Sequence, residues 1–179
     1  MRISKAWLSS LIVPVFLVGF AFSTAEAQVP DLSIWVGKWF QSTQKNLGVS
    51  FYESRMSKYT NTGTYYAKVT EWDSLNKQLK ILSYPTDDYE PKEISITVMA
   101  GNSLDFLCWG YFDDGEYGFS GIVWRIQGKM SKGELKSGTI KSLGGFFWEK
   151  DNFTDEYQAG EIVITAKLIP ESKVPPAIR

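Results

Sequence analysis
Apolar and polar residues alternate with a period of two through much of the chain, the spacing of a strand with one buried and one wet face. Over 92–100, Ile94, Ile96, Val98 and Ala100 share one parity, and Glu93, Ser95 and Thr97 hold the other. Over 118–130, Ile122, Trp124 and Ile126 oppose Val123, Arg125 and Gln127. Over 161–169, Ile162, Ile164, Ala166 and Leu168 oppose Val163, Thr165 and Lys167. The stretch 103–112 is apolar on both parities, with Leu104, Phe106 and Cys108 on one and Leu107, Trp109 and Tyr111 on the other. Such a strand is buried on both faces, or lines a cavity on one side and meets another layer on the other. No window repeats apolar residues at helical spacing; only a short turn at 30–36 reads as helical.

Turn residues punctuate these segments at Asn46-Leu47-Gly48, Asn61-Thr62-Gly63, Asp73–Asn76, Pro85–Pro91, Gly101-Asn102, Asp113-Asp114-Gly115 and Ser131-Lys132-Gly133. A longer polar stretch covers Glu149–Gly160. Gly, Asn, Asp and Pro supply the positive or preset φ of tight turns. Short connections favour antiparallel neighbours. The expectation is an all-β, antiparallel up-and-down barrel of about eight or nine strands, with a β-sandwich as the alternative. Gly144-Gly145 reads as a bulge or bend.

At the N-terminus, Arg2 and Lys5 precede an apolar run from Ala6 to Phe22, and Ala25-Glu26-Ala27 gives a small-x-small site. That order predicts a cleaved secretory signal over 1–27, hence a secreted or periplasmic protein, with a single domain over 28–169. After cleavage no apolar run reaches the length of a membrane helix. The segment 170–179 holds Pro170, Pro175 and Pro176 and reads as an extended, mobile tail.

Composition narrows the chemistry. The 179 residues carry a net charge of −1, without the basic footprint of a nucleic-acid binder. With His at 0, His-dependent triads, bases and metal ligands are excluded. One Cys excludes an internal disulfide. Cys108 has no adjacent activator and reads as a buried structural thiol. Acidic clusters at 87–90, 113–116 and 151–156 invite a Ca²⁺ reading, strongest at Asp113-Asp114-Gly115-Glu116, but fit no Ca²⁺-loop spacing and read as solvated loop tips. Asn152-Phe153-Thr154 is a glycosylation sequon. No cofactor, metal or enzymatic activity is expected.

The opening Gly37-Lys38-Trp39, followed by Phe40, resembles the start of the first strand in lipocalins and other calycins. The resemblance implies a barrel whose narrow end is closed by Trp39, with Gly37 admitting the chain and the interior open to a small apolar ligand. The chain departs from lipocalins in lacking a helical segment after the last strand and a disulfide pair. Thr86-Asp87-Asp88-Tyr89 echoes their second motif only halfway along the chain. The chain holds 7 Trp, 9 Tyr and 11 Phe, more aromatic surface than turns or caps require. The reading is an exported, non-enzymatic barrel that takes a small hydrophobic or aromatic ligand, with Phe106, Trp109 and Trp124 as the candidate contacts. The alternative is an interaction module with a packed core and a protein or carbohydrate partner. Inward rings around a void favour the first, and outward rings in a patch favour the second.

Overall fold
The computed structural model describes residues 30–86, 90–113, 118–151 and 153–179. The signal peptide, the echo at Asp87–Tyr89, Asp114, Glu116 and the sequon residue Asn152 lie outside the described residues. A single 3₁₀ turn, Ser33–Trp35, leads into eight strands: β1 (Trp39–Tyr52), β2 (Arg55–Asp73), β3 (Gln78–Pro85), β4 (Lys92–Gly101), β5 (Asp105–Asp113), β6 (Gly118–Ser131), β7 (Glu134–Asp151) and β8 (Glu156–Ile169). Each pairs antiparallel with its sequence neighbour, and β8 returns to β1, closing the sheet as a barrel in the order β1 to β8.

The alternation seen in the sequence sets the faces. Ile96, Val98, Phe106, Cys108, Ile122, Trp124, Ile126, Ile162 and Ala166 form one buried core with Trp35 and Phe40. Register shifts fall in β7 between Lys141 and Phe146, around the Gly144-Gly145 pair read as a bulge.

Two expected turns are interior to strands. Asn46 faces Asn61 and Gly48 faces Tyr59 across the β1–β2 ladder. Asn46 is buried and accepts from Gln44 Nε2 at 3.0 Å. Gly48 is small for a different reason: a Cβ there would lie 2.1 Å from the Ala159 carbonyl oxygen on β8. The chain instead reverses at Glu53-Ser54, with φ of 45° and 63°, the handedness of a two-residue hairpin loop.

The C-terminal segment corrects the expectation of a mobile tail. It makes two 3₁₀ turns, Glu171–Lys173 and Pro176–Ile178. Val174 and Ile178 are buried against Trp39, with Tyr66, Tyr84 and Ile169 around them. Prolines preset this path rather than freeing it, since they cost little entropy to order.

Candidate functional site
The end of the barrel where the chain enters β1 is closed by Trp35, not by Trp39. Trp35 sits on the first 3₁₀ turn and is 1% exposed. Its ring stacks on Phe40 at 6.0 Å and meets Phe106 edge-on at 5.7 Å. Its Nε1 donates to the Ser103 carbonyl at 2.7 Å, pinning the plug to the β4–β5 connection. Room for the indole comes from Gly128 on β6 and Gly138 on β7, where a Cβ would lie 2.8 Å from the ring.

Trp39 is buried, as expected, but on the other face of β1 from Phe40, outside the barrel and beneath Val174. Lys68 lies over its ring at 5.3 Å. Gly37 has φ of 79° with open space where a Cβ would stand, so its role is the left-handed backbone rather than a close crossing.

Above the plug the barrel holds a cavity of about 1050 Å³. Its apolar wall includes Ile81, Ile94, Ile122, Trp124, Ile140 and Ile164. Ile81, Ile94, Ile140 and Ile164 point inward yet are only half-buried, as the walls of an unfilled lumen are. Trp124 is held edge-on by Phe112 at 6.4 Å, and opposite it Gly110 leaves the space that a Cβ, 2.8 Å from the ring, would fill.

The three candidate contacts separate. Trp124 lines the lumen. Phe106, 1% exposed, is buried in the core against Trp35 and does not line the cavity. Trp109 faces outward and is 37% exposed, because β5 alternates and Cys108 has taken the inward position opposite Trp124. Cys108 is fully buried, and burial pushes its thiol up to about 12, so it is an inert core residue at neutral pH.

The lumen also carries polar lining, which sequence reasoning missed. Ser42 and Gln44 on β1, Tyr65 on β2 and Gln158 on β8 line it. Higher up, Ser50 Oγ donates to Glu156 Oε1, and Gln158 Nε2 donates to the same oxygen at 3.3 Å. Burial, reinforced by the Glu149 and Glu156 carboxylates and opposed by a hydrogen bond with Asn61, raises the Tyr59 hydroxyl above its ordinary value. The signal was present as Ser42, Gln44, Asn46 and Ser50 at period two, but with no apolar partner parity it gave no face.

Outside, aromatics cross four strands. Trp109 and Tyr111 lie 5.9 Å apart, Tyr111 meets Phe119 at 6.1 Å, and Phe119 stacks on Trp148 at 5.9 Å and meets Phe146 edge-on at 5.8 Å. Tyr157 continues the row from Trp148 at 6.1 Å. Trp109, Tyr111, Phe119, Phe146 and Tyr157 are all exposed.

Among the described residues no group of His, Cys, Asp and Glu is arranged to hold a metal ion, and no helix is long and apolar enough to cross a membrane. Comparison with protein-family models, curated proteins and solved structures found no match.

Proposed function
We propose that the chain is an exported, non-enzymatic, calycin-like barrel that binds a small hydrophobic or aromatic molecule in its lumen. The observation that carries this reading is the cavity of about 1050 Å³, lined by Phe40, which stacks on Trp35, and walled by isoleucines and Trp124. Pockets of this size and composition suit ligands that bury rings or chains. The outer wall supports a barrel surrounded by water. Lys80 pairs with Glu71 at 2.9 Å and Arg125 with Asp105 at 2.7 Å, where a lipid-facing barrel carries an apolar band. Titration with a neutral fluorescent probe such as N-phenyl-1-naphthylamine tests it. Saturable one-to-one binding that quenches Trp emission is expected, and no uptake of any apolar probe would overturn the reading.

The outward row from Trp109 to Tyr157 favours a second reading, an interaction surface on the wall of the same barrel. It is separable from the first. Trp109→Ser weakens partner or carbohydrate binding under that reading, and it leaves probe uptake by the lumen intact because Trp109 does not line the cavity.

A further inference from the structure
On the outer wall, Trp39, Tyr66, Tyr84 and Ile169 form an apolar face across β1, β2, β3 and β8. Trp39 stands opposite Ile169 on the β1–β8 ladder, and Tyr66 opposite Tyr84 on the β2–β3 ladder. The Trp39 and Tyr84 rings lie 5.8 Å apart. What covers this face is the segment 170–179.

The segment is seated as a bound peptide would be. Val174 and Ile178 are its buried residues; Pro175 beside them is half-buried and the rest are exposed. Pro170, Val174 and Pro175 have φ of −69°, −77° and −54° with ψ of 150°, 136° and 138°, close to polyproline torsions. Its backbone bonds close on the segment itself: Lys173 N donates to Pro170 O at 2.9 Å, Val174 N to Glu171 O at 3.0 Å and Ile178 N to Pro175 O at 3.1 Å. Among the described residues no hydrogen bond or ion pair joins it to the barrel. Two apolar anchors therefore hold it, on prolines that cost little entropy to order. The seat also has an unmet donor. Trp39 is 3% exposed, and its Nε1 finds no acceptor beneath the segment. A peptide that placed a carbonyl there would remove that penalty.

We propose that the Trp39–Tyr66–Tyr84 face is a docking site for a proline-rich peptide, occupied by the chain's own segment 170–179 until a proline-rich segment of a partner protein displaces it. Aromatic-lined grooves take proline-rich segments in this way, because the extended backbone is already ordered before it binds. The partner segment carries branched apolar residues on either side of a proline pair, as Val174 and Ile178 flank Pro175-Pro176 here.

Hydrogen exchange on the full wild-type chain, read at Lys173, Val174 and Ile178, is the first test. Those amides should exchange at least about a hundredfold faster than the paired amides of β1 and β8, because the segment opens without the barrel. A synthetic peptide of residues 170–179 at about 5 mM should speed them several-fold further, since a tethered segment competes at an effective concentration in the millimolar range. The second test titrates the same peptide, fluorescein-labelled, into the full chain carrying Val174→Asp. It should bind there at least about tenfold more tightly than to wild type, and a peptide that itself carries Val174→Asp should not bind. Segment amides as slow as those of β1, or exchange unmoved by the peptide, would overturn the proposal. Equal peptide binding to both chains, or none to a Val174→Asp chain that unfolds cooperatively in urea, would do the same. If Val174→Asp does not fold, exchange in the wild-type chain decides alone.

Discussion

Trp35 and Phe40 stack at 6.0 Å across the entry of the chain into β1, and both are buried in the core at that end of the barrel. The indole N–H reaches the Ser103 carbonyl and ties this stack to the β4–β5 connection. Trp35 thus spans the N-terminal turn, β1, β6 and β7 from a position four residues before the expected plug.

Trp35→Ala should therefore cost about 3–5 kcal/mol, the range for emptying a large aromatic site. Trp39 predicts a contrast. Its Nε1 is buried without a hydrogen-bond partner. Trp39→Phe removes that unmet donor, whose burial costs about 1–3 kcal/mol, and keeps most of the ring contact. Urea unfolding should place Trp39→Phe at or above wild-type stability. A loss as large as that of Trp35→Ala would mean that Trp39 carries the plug after all.

The C-terminal segment should behave as part of the fold. Val174 is 1% exposed against Trp39. Val174→Asp places a charge there and should detach the segment, with a red shift in Trp39 emission and a stability loss of about 2–4 kcal/mol. The emission change is best read in a variant in which the other tryptophans are replaced conservatively. An unshifted spectrum with unchanged stability would return the segment to the status of a loose tail.

How far the sequence was legible depended on parity. Ile122, Trp124 and Ile126, and likewise Ile162, Ile164 and Ala166, alternate with mostly polar residues, Val123 and Val163 apart, so period two put each set on one face, and the structure turns both sets inward. Over 103–112 both parities are apolar, so nothing local separated Phe106 from Trp109; only pairing of Cys108 with Trp124 decides it. Trp35 and Trp39 posed the same problem at the barrel end. Asn46 and Gly48 misled because Asn and Gly serve both turns and crowded barrel walls, whereas the true reversal uses Glu53 and Ser54, neither a habitual left-handed residue.

Cys108 links the core to pH. Its folded pKa, about 12, stands above the ordinary thiol value of 9.0 because burial disfavours the thiolate. The unfolded chain then loses this proton first. Stability is whole below about pH 9 and falls as pH rises toward 12, by at most about 1.4 kcal/mol per pH unit from this group. Asp105 acts at the other limit. Hydrogen bonds from Arg125 and Gln127 hold it at about 2 against 3.8, so its contribution is present above about pH 4 and fades as pH falls toward 2. Because Asp105 is exposed, the acid effect should be the smaller one. Denaturation midpoints of wild type and Cys108→Ala across pH 8 to 11 check the alkaline limb, which should flatten in the variant. Ellman's reagent should find no reactive thiol in native protein and one after unfolding.

Whether the lumen is a binding space or a core awaiting side chains can be decided by filling it. Ala67, on β2 beside Phe40, lines the cavity and is only half-buried. In a close-packed interior, an added ring costs about 1–3 kcal/mol through off-rotamer side chains and backbone shifts. In an open lumen the same ring gains contacts and displaces poorly ordered water, so Ala67→Phe should change stability by less than about 1 kcal/mol. The ligand loses the volume that the ring takes, and probe affinity should fall several-fold. Trp124→Ala acts in the opposite sense: it enlarges the cavity, weakens the fold by about 3–5 kcal/mol and removes the quenching signal. Probe titration and urea unfolding on the same two variants separate the cases. A destabilised Ala67→Phe whose probe affinity matches wild type would place the probe elsewhere and leave the interior as core. A stable Ala67→Phe that excludes the probe would locate the bound molecule between β2 and Trp124.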